Sequence, residues 1–379
     1  MKKTLIALAV AGVVAAPAAF AATSNVDIYG VMSFSVDRAN TDDSVAGSDD
    51  SDLVTGRDNV SRFGLKGSED LGGGLSAIWQ VEMQLNATNT DSATFTTTSA
   101  STFKLTVGQT TLRNTFVGLK SASMGTLILG RHDTPYKLAT SKLDPFGDTA
   151  ADYNAIIGRS STKSAGALFD VRATNTVAYI SPTFSGFHAA AAYVEVKNAE
   201  AVGVDNVSAY SVMGMYENGP LFASLAYEKH SNVLGATATD PISAWKAGLG
   251  YSFGNAKIGA VYEKTNGGDN TAVAGTQEPN ARSAWYLSGQ YNMGAIALKA
   301  AYGRANDSDA SATADDGAKF YALGADYSLS KRTTVYGLYT KLNNDGTTVA
   351  GGGYDLTPYS TSAVGNDPSV FSVGVKHSF

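Results

Sequence analysis

The sequence predicts an all-β fold, a transmembrane, antiparallel, up-and-down barrel of sixteen strands. Three observations support this prediction: segments with alternating apolar and polar residues recur along the chain, the connectors between them alternate between short and long, and the first residues resemble an export signal. Alternation with a period of two gives a strand two different faces. In a membrane barrel the apolar face contacts lipid, and the polar face lines a water-filled lumen.

The first residues indicate the compartment. Lys2 and Lys3 precede an apolar run that begins at Leu5, and small residues surround a cleavage point that we predict after Ala21. This is the pattern of a secretory signal peptide, and its apolar run is too short for a spanning helix. We therefore expect residues 1–21 to be removed and residues 22–379 to form one exported domain.

Composition favours a β protein without disulfides. The chain has no cysteine, 40 Gly, 19 Tyr and 15 Phe, and its formal net charge is -6. An exported chain of this length without disulfides must be held together by burial or by hydrogen-bonded ladders. The acidic balance disfavours binding to nucleic acid, whose backbone is itself negative.

The C-terminal segment, residues 370–379, alternates most clearly. Phe371, Val373 and Val375 fall on one face, and Ser372 and Gly374 fall on the other. The same alternation recurs in residues 26–37, 75–86, 244–253 and 283–292. Aromatic residues near the ends of the apolar faces are typical of the girdles that lie at membrane interfaces. A soluble β-sandwich also alternates, so this pattern alone leaves both folds open.

The connectors favour the membrane barrel. Short turns are predicted at residues 69–74, 121–125, 181–186, 217–220, 253–256, 292–295 and 328–332, and long polar loops near 39–57, 87–102, 134–170, 197–206, 231–243, 265–282, 305–317 and 343–369. Seven short and eight long connectors imply sixteen strands. Short periplasmic turns and long external loops are typical of outer-membrane barrels, which close so that no backbone group is left unpaired in lipid. A barrel of this width encloses an aqueous channel.

Several segments resemble the Gram-negative general porins, and most closely the neisserial and beta-proteobacterial type. The similarity is carried by "DIYGVMSFSV" (27–36), "SRFGLKGSEDLGGGLSAIWQVE" (61–82), "FVGLKSASMGTLILGRHDTP" (116–135) and "VAYISPTFSGF" (177–187). The resemblance implies a multi-pass protein of the bacterial outer membrane that allows passive diffusion of small hydrophilic solutes and ions. It also implies a homotrimer surrounded by membrane lipids and lipopolysaccharide. The terminal Phe379 resembles the signal that the outer-membrane insertion machinery reads.

The resemblance further implies that the third external loop folds into the lumen. Residues 134–170 form the longest predicted connector and contain "KLDPFG", which is similar to a segment at the family's constriction. Asp144 and Asp148 are then expected on the inserted loop, with Asp152 a weaker candidate. Pro145 restricts the backbone at this turn. The alternative is an ordinary external loop with solvated charges.

Opposite this loop the family has arginines on the barrel wall. Arg62 matches that pattern and shares a face with Lys66, and Arg113 and Arg172 also match it. These residues and the loop acids form the expected pore constriction. Arg131 has the same parity as the apolar residues around it, so we expect it at a rim instead.

The charges predict a weak preference for anions. Rings of Arg or Lys in a channel favour anions, whereas acidic stretches such as residues 41–52 attract cations to the mouth. The constriction should dominate because charges at the mouth are screened beyond roughly 8 Å at physiological salt.

Two other functions remain open on the same barrel. One is a substrate-selective channel for phosphate or an organic acid. The other is an outer-membrane barrel enzyme, which needs catalytic residues that converge in space.

The four histidines stand far apart and no cysteine is present, so we expect no metal site, no cofactor and no enzymatic activity. The acidic stretch 306–317 lacks the spacing of an EF-hand, and we expect a solvated loop. The alternative is a loose site for a divalent cation among Asp307, Asp309, Asp315 and Asp316.

Overall fold

The structure is a computed structural model. It describes residues 25–40, 52–85, 111–158, 169–196, 207–231, 241–266, 281–309, 315–345, 354–356 and 367–379. The predicted signal peptide, residues 1–21, lies outside the described residues. Among the residues that are described, no helix has the length and apolar character needed to cross a membrane.

Eighteen β-segments form a single antiparallel sheet that closes on itself. Two pairs of segments lie end to end beside the same neighbouring strand, so the described chain forms a barrel of sixteen strands. The strands are β1 (Asn25–Asn40), β2 (Asp52–Asp58 and Arg62–Gly72), β3 (Leu75–Gln84), β4 (Thr111–Leu112 and Thr115–Ser121), β5 (Gly125–Asp133), β6 (Arg172–Ile180), β7 (Phe187–Val196), β8 (Val207–Asn218), β9 (Leu221–Ser231), β10 (Ile242–Phe253), β11 (Ala256–Asn266), β12 (Arg282–Met293), β13 (Ile296–Ala305), β14 (Ala318–Ser328), β15 (Thr333–Asn344) and β16 (Ser369–Ser378). The predicted sixteen-stranded barrel is confirmed.

The last strand closes the barrel onto the first. β16 pairs with β1 from Val31 opposite Ser378 to Asn40 opposite Ser369. Beyond the strand, the backbone N–H and C=O of Phe379 both bond to Gly30, at 3.1 and 3.0 Å. Closure leaves no strand edge with unpaired backbone groups, which lipid cannot solvate.

Short and long connections alternate around the barrel, as the sequence predicts. The turn between β2 and β3 has only two residues, Gly73 and Gly74, with φ of 62° and 78°. A two-residue turn with two positive φ angles matches the twist of the paired strands and favours glycine. The short connections lie at one end of the barrel and the long ones at the other.

Each strand exposes an apolar face outward. Phe371, Val373 and Val375 are about half exposed, whereas Val370 and Ser372, on the opposite face of the strand, are buried. Exposed apolar side chains recur on every strand of the described barrel, an arrangement that is stable in lipid rather than in water. Aromatic pairs lie on this face near the loop end, among them Trp245–Tyr262 and Trp285–Tyr302, with ring centroids 5.3 and 5.2 Å apart.

The segment after β5 forms short turns that pack against the opposite wall. It contains a one-turn helix, α1 (Pro135–Leu138), with Thr134 as N-cap, and 3₁₀ turns at Ser141–Leu143 and Tyr153–Ala155. Its apolar side chains are buried in the larger of two apolar clusters, together with inner-face residues of β1 and of β7 to β16. The core of the described protein therefore lies between this segment and the wall.

Candidate pore constriction

Arg62 lies where β2 resumes after an interruption. Val60, two residues earlier, has φ of 61°, and the break ends the pairing of the first part of β2. The Arg62 guanidinium donates from Nη1 to Oδ2 of Asp148 at 2.9 Å, which joins the barrel wall to the segment after β5. Asp148 has φ of 62°, a strained conformation for a residue with a side chain.

Arg113 lies in the interruption between the two parts of β4. Its Nε donates to Oε1 of Glu82 at 2.7 Å, and its Nη1 donates to Oε1 of Gln84 at 3.2 Å. The hydroxyl of Tyr29 donates to the other oxygen of Glu82 at 2.9 Å. Glu82 therefore fixes both the guanidinium and the phenol on the inner face of β1 and β3.

Arg172 begins β6 and binds a carboxylate on β5. Its Nη2 lies 3.0 Å from Oδ1 of Asp133, and its Nε donates to Oδ1 of Asn114 at 2.8 Å. Lys137, on α1, lies 3.2 Å from the same carboxylate. The strand register shifts here between Gly130 and His132, and such bulges re-aim side chains.

These groups form a cationic cluster with an excess of positive charge. Arg62 and Arg172 both lie close enough to Arg113 to repel its charge. Lys66 lies on the same inner face as Arg62, with its Nζ 5.3 Å from the centroid of the Tyr29 ring. Five cations (Arg62, Lys66, Arg113, Lys137 and Arg172) share three carboxylates (Glu82, Asp133 and Asp148). The cluster therefore has two more positive than negative charges.

Asp144 and Asp152 lie on the segment after β5. Asp152 adjoins the cationic cluster, because its Oδ2 accepts a hydrogen bond from the backbone N–H of Asp148 at 3.0 Å. Asp144 accepts hydrogen bonds from the Tyr286 hydroxyl at 2.8 Å and from the backbone N–H groups of Phe146 and Tyr153. Loss of hydration, and then the nearby charge of Asp152, raise the pKa of Asp144 to about 7. Burial also raises the pKa of Asp152. The charge on this segment therefore changes near neutral pH.

Buried ionic groups hold the segment to β10, β11 and β12. Lys246 and Asp170 form a fully buried ion pair, and the Tyr153 hydroxyl donates to Asp170 at 2.8 Å. Glu263 accepts from the Tyr136 hydroxyl at 2.8 Å and from the N–H of Gly158 at 2.9 Å. Buried charges are stable only when paired and hydrogen-bonded, so these contacts constrain the segment's position.

Backbone carbonyls of the segment accept further hydrogen bonds from the wall. The donors are Ser288 to Leu143 O (2.6 Å), Lys299 to Pro145 O (3.1 Å), Arg282 to Ile156 O (2.8 Å) and Lys257 to Lys142 O (2.8 Å). These bonds satisfy carbonyls that no regular secondary structure pairs.

Glycines on the inner face make room for the segment's apolar side chains. Leu143 lies 2.8 to 3.3 Å from the positions that Cβ atoms would take at Gly248, Gly250 and Gly259. The five loop-contact glycines are Gly248, Gly250, Gly259, Gly303 and Gly324, the last two beneath Ile156 and Phe146 respectively. A larger residue at any of them meets an apolar side chain that is already buried.

Two predicted residues lie elsewhere. Arg131 faces outward on β5, on the same face as the exposed Leu127 and Leu129. Phe379 follows β16 at the turn end of the barrel, and its ring covers Gly30 on β1. Neither side chain contacts the cationic cluster, and their predicted roles stay predictions.

The acidic loop before β14 and the residue that follows β15 bring three carboxylates together. One oxygen from each of Asp307, Asp315 and Asp345 lies within 4.8 Å of the others. Asp345 pairs with Arg304 and Lys319, and Asp307 accepts backbone N–H groups from residues 316 and 317. These partners neutralise the charge of Asp345 and satisfy one oxygen of Asp307.

Sequence reasoning missed the residues that position the arginines. Glu82, Asp133 and Lys137 all lie at the site and are absent from the predicted constriction. The glycines at alternate inner-face positions were visible as the small face of each strand, as in residues 246–250. Their function as contact surfaces depends on which part of the chain lies against them.

Comparison with known proteins gives concordant results. A family model described as Gram-negative porin matches residues 6–347. An outer membrane porin protein of Bordetella pertussis is 32% identical over 292 residues, covering 71% of this chain and 70% of that protein. Outer membrane porin protein 32 of Delftia acidovorans is 29% identical, with 100% of each chain covered. Among solved structures, an anion-selective porin from Comamonas acidovorans superimposes with a TM-score of 0.72 at 25% identity, covering 94% of this chain and 100% of that one.

Proposed function

The chain belongs to the Gram-negative porin family, and from this premise we propose that it forms an outer-membrane channel that prefers anions among small hydrophilic solutes. The observation that carries the proposal is the cationic cluster, with its excess of two positive charges. The anion selectivity of the structural relative from Comamonas acidovorans agrees with this sign.

We propose that residues 134–170 are the constriction loop and that they narrow the lumen. The described part of this segment supports the proposal, because it bonds to inner-face residues from β2 to β13. The proposed pore constriction consists of Arg62, Lys66, Arg113 and Arg172 on the wall and Asp144 and Asp148 on the loop. Arg131 is proposed as a rim residue outside it.

The mechanism follows from the separation of charge. Cations on β2, β4 and β6 face the acids of the loop, so a transverse field crosses the water between them. A polar solute can align in that field, whereas an apolar one must displace oriented water. Arginines on a channel wall attract anions, and the acid paired with each arginine fixes its direction and reduces its effective charge. The expected anion preference is therefore weak.

We propose that the channel acts without catalysis, since the family and the fold are those of a channel. The competing possibility, a channel selective for phosphate or an organic acid, predicts that one solute blocks conductance with saturation. A general channel shows no such saturation, so titration of each solute distinguishes the two.

We also propose a homotrimer embedded in outer-membrane lipids and lipopolysaccharide. The apolar side chains of β1 and β2 support a protein contact there: Val26, Ile28, Val36 and Val54 are among the most exposed apolar residues and are all aliphatic. Interfacial aromatic residues would be expected on a purely lipid-facing surface. Phe379, at the exposed end of the closing strand, is proposed as the signal for the insertion machinery.

A planar bilayer under a salt gradient tests the proposal. The reversal potential of the refolded protein should shift toward the anion potential, and conductance should rise in steps of three. Arg62→Ala with Arg172→Ala should abolish the shift. The control is Arg332→Ala, which removes one positive charge from an exposed turn far from the cluster. A shift toward the cation potential in the unmodified protein contradicts the proposed preference.

A further inference from the structure

The connection between β15 and β16 contributes three described residues that are buried inside the barrel. Tyr354, Asp355 and Leu356 are 1%, 6% and 0% exposed, although they belong to one of the long connections. Asn344, at the loop end of β15, accepts from the N–H of Tyr354 at 2.8 Å and donates from Nδ2 to its C=O at 3.2 Å. We call residues 354–356 the mouth segment.

The mouth segment packs against apolar residues of the lumen wall. Tyr354 and Leu356 belong to the larger apolar cluster, whose other members lie on the strands or on the segment after β5. The members at the loop ends of five consecutive strands are each 0% exposed, namely Ala305, Ala318, Leu342, Val370 and Ala39. Apolar surface beside water is unfavourable, so these residues favour an apolar cover. The mouth segment supplies such a cover at this level of the barrel.

Arg282, the first residue of β12, joins the mouth segment to the segment after β5. Its guanidinium carbon lies 5.4 Å from the centroid of the Tyr354 ring, and its Nη2 donates to Ile156 O at 2.8 Å. A guanidinium over an aromatic ring is a favourable contact, and more so away from water. Because Arg282 lies on β12 and Asn344 lies on β15, the mouth segment spans the inner side of β13 and β14.

The two segments cover this wall at successive levels. On β13, Gly303 lies beneath Ile156 of the segment after β5, and Ala305 lies two residues nearer the loop end on the same face. The cationic cluster lies across the barrel, since Arg113 belongs to β4 and β4 is eight strands from β12 in a barrel of sixteen. The covered wall and the cationic cluster are therefore on opposite sides of the lumen.

We propose that the mouth segment closes the lumen along β12 to β16, so that solutes pass only beside the cationic cluster. The inference rests on the proposed function and assigns Tyr354 and Leu356 as residues that determine its specificity. The ion pair on the covered side, Arg282 with Glu263 at 3.6 Å, carries no net charge. A second path on that side would conduct ions without an excess of positive charge. Since parallel conductances add, it would reduce the anion preference of the whole channel.

Thiol labelling of the refolded full chain in lipid vesicles tests the closure. The chain has no cysteine, so a single introduced thiol reports the access of water to its position. Ala305→Cys places the thiol on the covered wall, and Lys66→Cys places it on the exposed wall. The probe is a charged, membrane-impermeant methanethiosulfonate, present on both sides of the membrane. Ala305→Cys should react at least about tenfold more slowly than Lys66→Cys, because a buried thiol reacts only when the cover opens.

Removal of the apolar side chains of the mouth segment should open the covered side. Tyr354→Ser with Leu356→Ser should raise the labelling rate of Ala305→Cys toward that of Lys66→Cys. In the chain without an introduced cysteine, the same two changes should increase conductance and move the reversal potential toward zero. Tyr354→Phe keeps the ring and should retain most of the protection. Leu329→Ser, on an exposed turn at the other end of the barrel, is the control and should leave labelling, conductance and reversal potential unchanged.

Three outcomes overturn the proposal. Equal labelling of Ala305→Cys and Lys66→Cys shows that the wall is open, and this result does not require the serine variant to fold. Slow labelling of Ala305→Cys that persists in the serine variant assigns the cover to another part of the chain. Faster labelling with an unchanged reversal potential shows that the cover does not determine specificity. A loss of anion preference in the unmodified protein contradicts the proposed function instead, so the two failures are distinguishable.

Discussion

Two arcs of the same barrel perform different tasks. In β1 to β6 the hydrogen-bonded ladder is interrupted: β2 and β4 are each in two parts, and the register between β5 and β6 shifts. In β8 to β16 the paired residues follow one another without a shift. The interrupted arc carries Arg62, Arg113 and Arg172. The regular arc carries the buried ion pairs and the apolar contacts of the segment after β5, whereas Asp148 joins that segment to the interrupted arc.

The difference has a physical cause. An interruption frees backbone groups and turns side chains away from strict alternation, so several charged groups can converge. An uninterrupted strand repeats its inner face every second residue, and small residues there leave a smooth surface. The irregular strands therefore position charged side chains, whereas the regular strands form the surface against which the loop packs. Four experiments test this division, in order of decreasing expected effect.

Of the four changes, Lys246→Met should have the largest effect, a loss of stability in the regular arc. It leaves the buried carboxylate of Asp170 without its cation, and removal of one partner of a buried pair typically costs about 3–5 kcal/mol. The measurement is the free energy of unfolding in urea from lipid vesicles. Lys264→Met, at an exposed position of the adjacent strand, is the matched control and should cost less than about 1 kcal/mol. Adding Asp170→Asn to Lys246→Met should recover part of the lost free energy of unfolding. An equal loss of that free energy in Lys246→Met and Lys264→Met would show that the Lys246–Asp170 pair does not hold the loop.

Gly303→Leu should displace the loop. The added side chain meets Ile156, and overpacking of this kind costs about 1–3 kcal/mol, so the segment moves toward the open lumen and single-channel conductance falls. Gly289→Leu is the matched control, because a Cβ there meets nothing within 4 Å. Conductance should recover when Ile156→Ala is combined with Gly303→Leu. Unchanged conductance in Gly303→Leu indicates that the glycine does not limit the loop.

Asp148→Asn should increase the anion preference. It removes the carboxylate that binds Arg62 and raises the excess of positive charge in the cluster from two to three. The measurement is the reversal potential under a salt gradient, and the added shift should shrink at high salt, since the Debye length falls from about 10 Å at 0.1 M to about 3 Å at 1 M. Asp70→Asn, at the exposed turn end of β2, should have little effect. A similar shift in both variants would falsify a local role for Asp148.

Of the four changes, a change of pH should have the smallest effect, and it should act on the anion preference. The pKa of Asp144 is raised to about 7, so an increase from pH 6 to pH 8 adds negative charge to the loop and should weaken the anion preference. The folded state favours the protonated acid, so the stability that this group contributes decreases as pH rises from its ordinary pKa of 3.8 through about 7. The pH dependence of the reversal potential should diminish in Asp144→Asn. An identical pH profile in that variant assigns the titration to another group.

The prediction of the barrel from sequence succeeded because each strand carries its own information. Alternation along residues 370–379 indicates two faces without knowledge of any partner strand. The alternation of turns and loops supplied the strand count, and β16 closes on β1 as expected. Local periodicity is sufficient here because lipid requires every strand to be paired, which leaves few alternatives to a closed barrel.

The individual contacts at the site were harder to predict from the sequence. The sequence indicated that Arg131 shares a face with its apolar neighbours and that Arg62 and Lys66 share the other face. It did not indicate that each arginine of the cluster binds a carboxylate, because Asp133 lies 39 residues from Arg172 in the sequence and Asp148 lies 86 residues from Arg62. Such pairs depend on strand interruptions that alternation does not reveal.

The strand count, the exposed face of each strand and the alternation of short turns with long loops can all be predicted from the sequence. These properties depend on residues within one strand or turn, and the solvent on each side of the barrel wall reinforces them. The folded chain alone shows which glycines lie beneath Leu143, Phe146 and Ile156 and which acid binds each arginine. Those contacts join parts of the chain far apart in sequence, and their geometry exists only after the barrel has closed around the segment that follows β5.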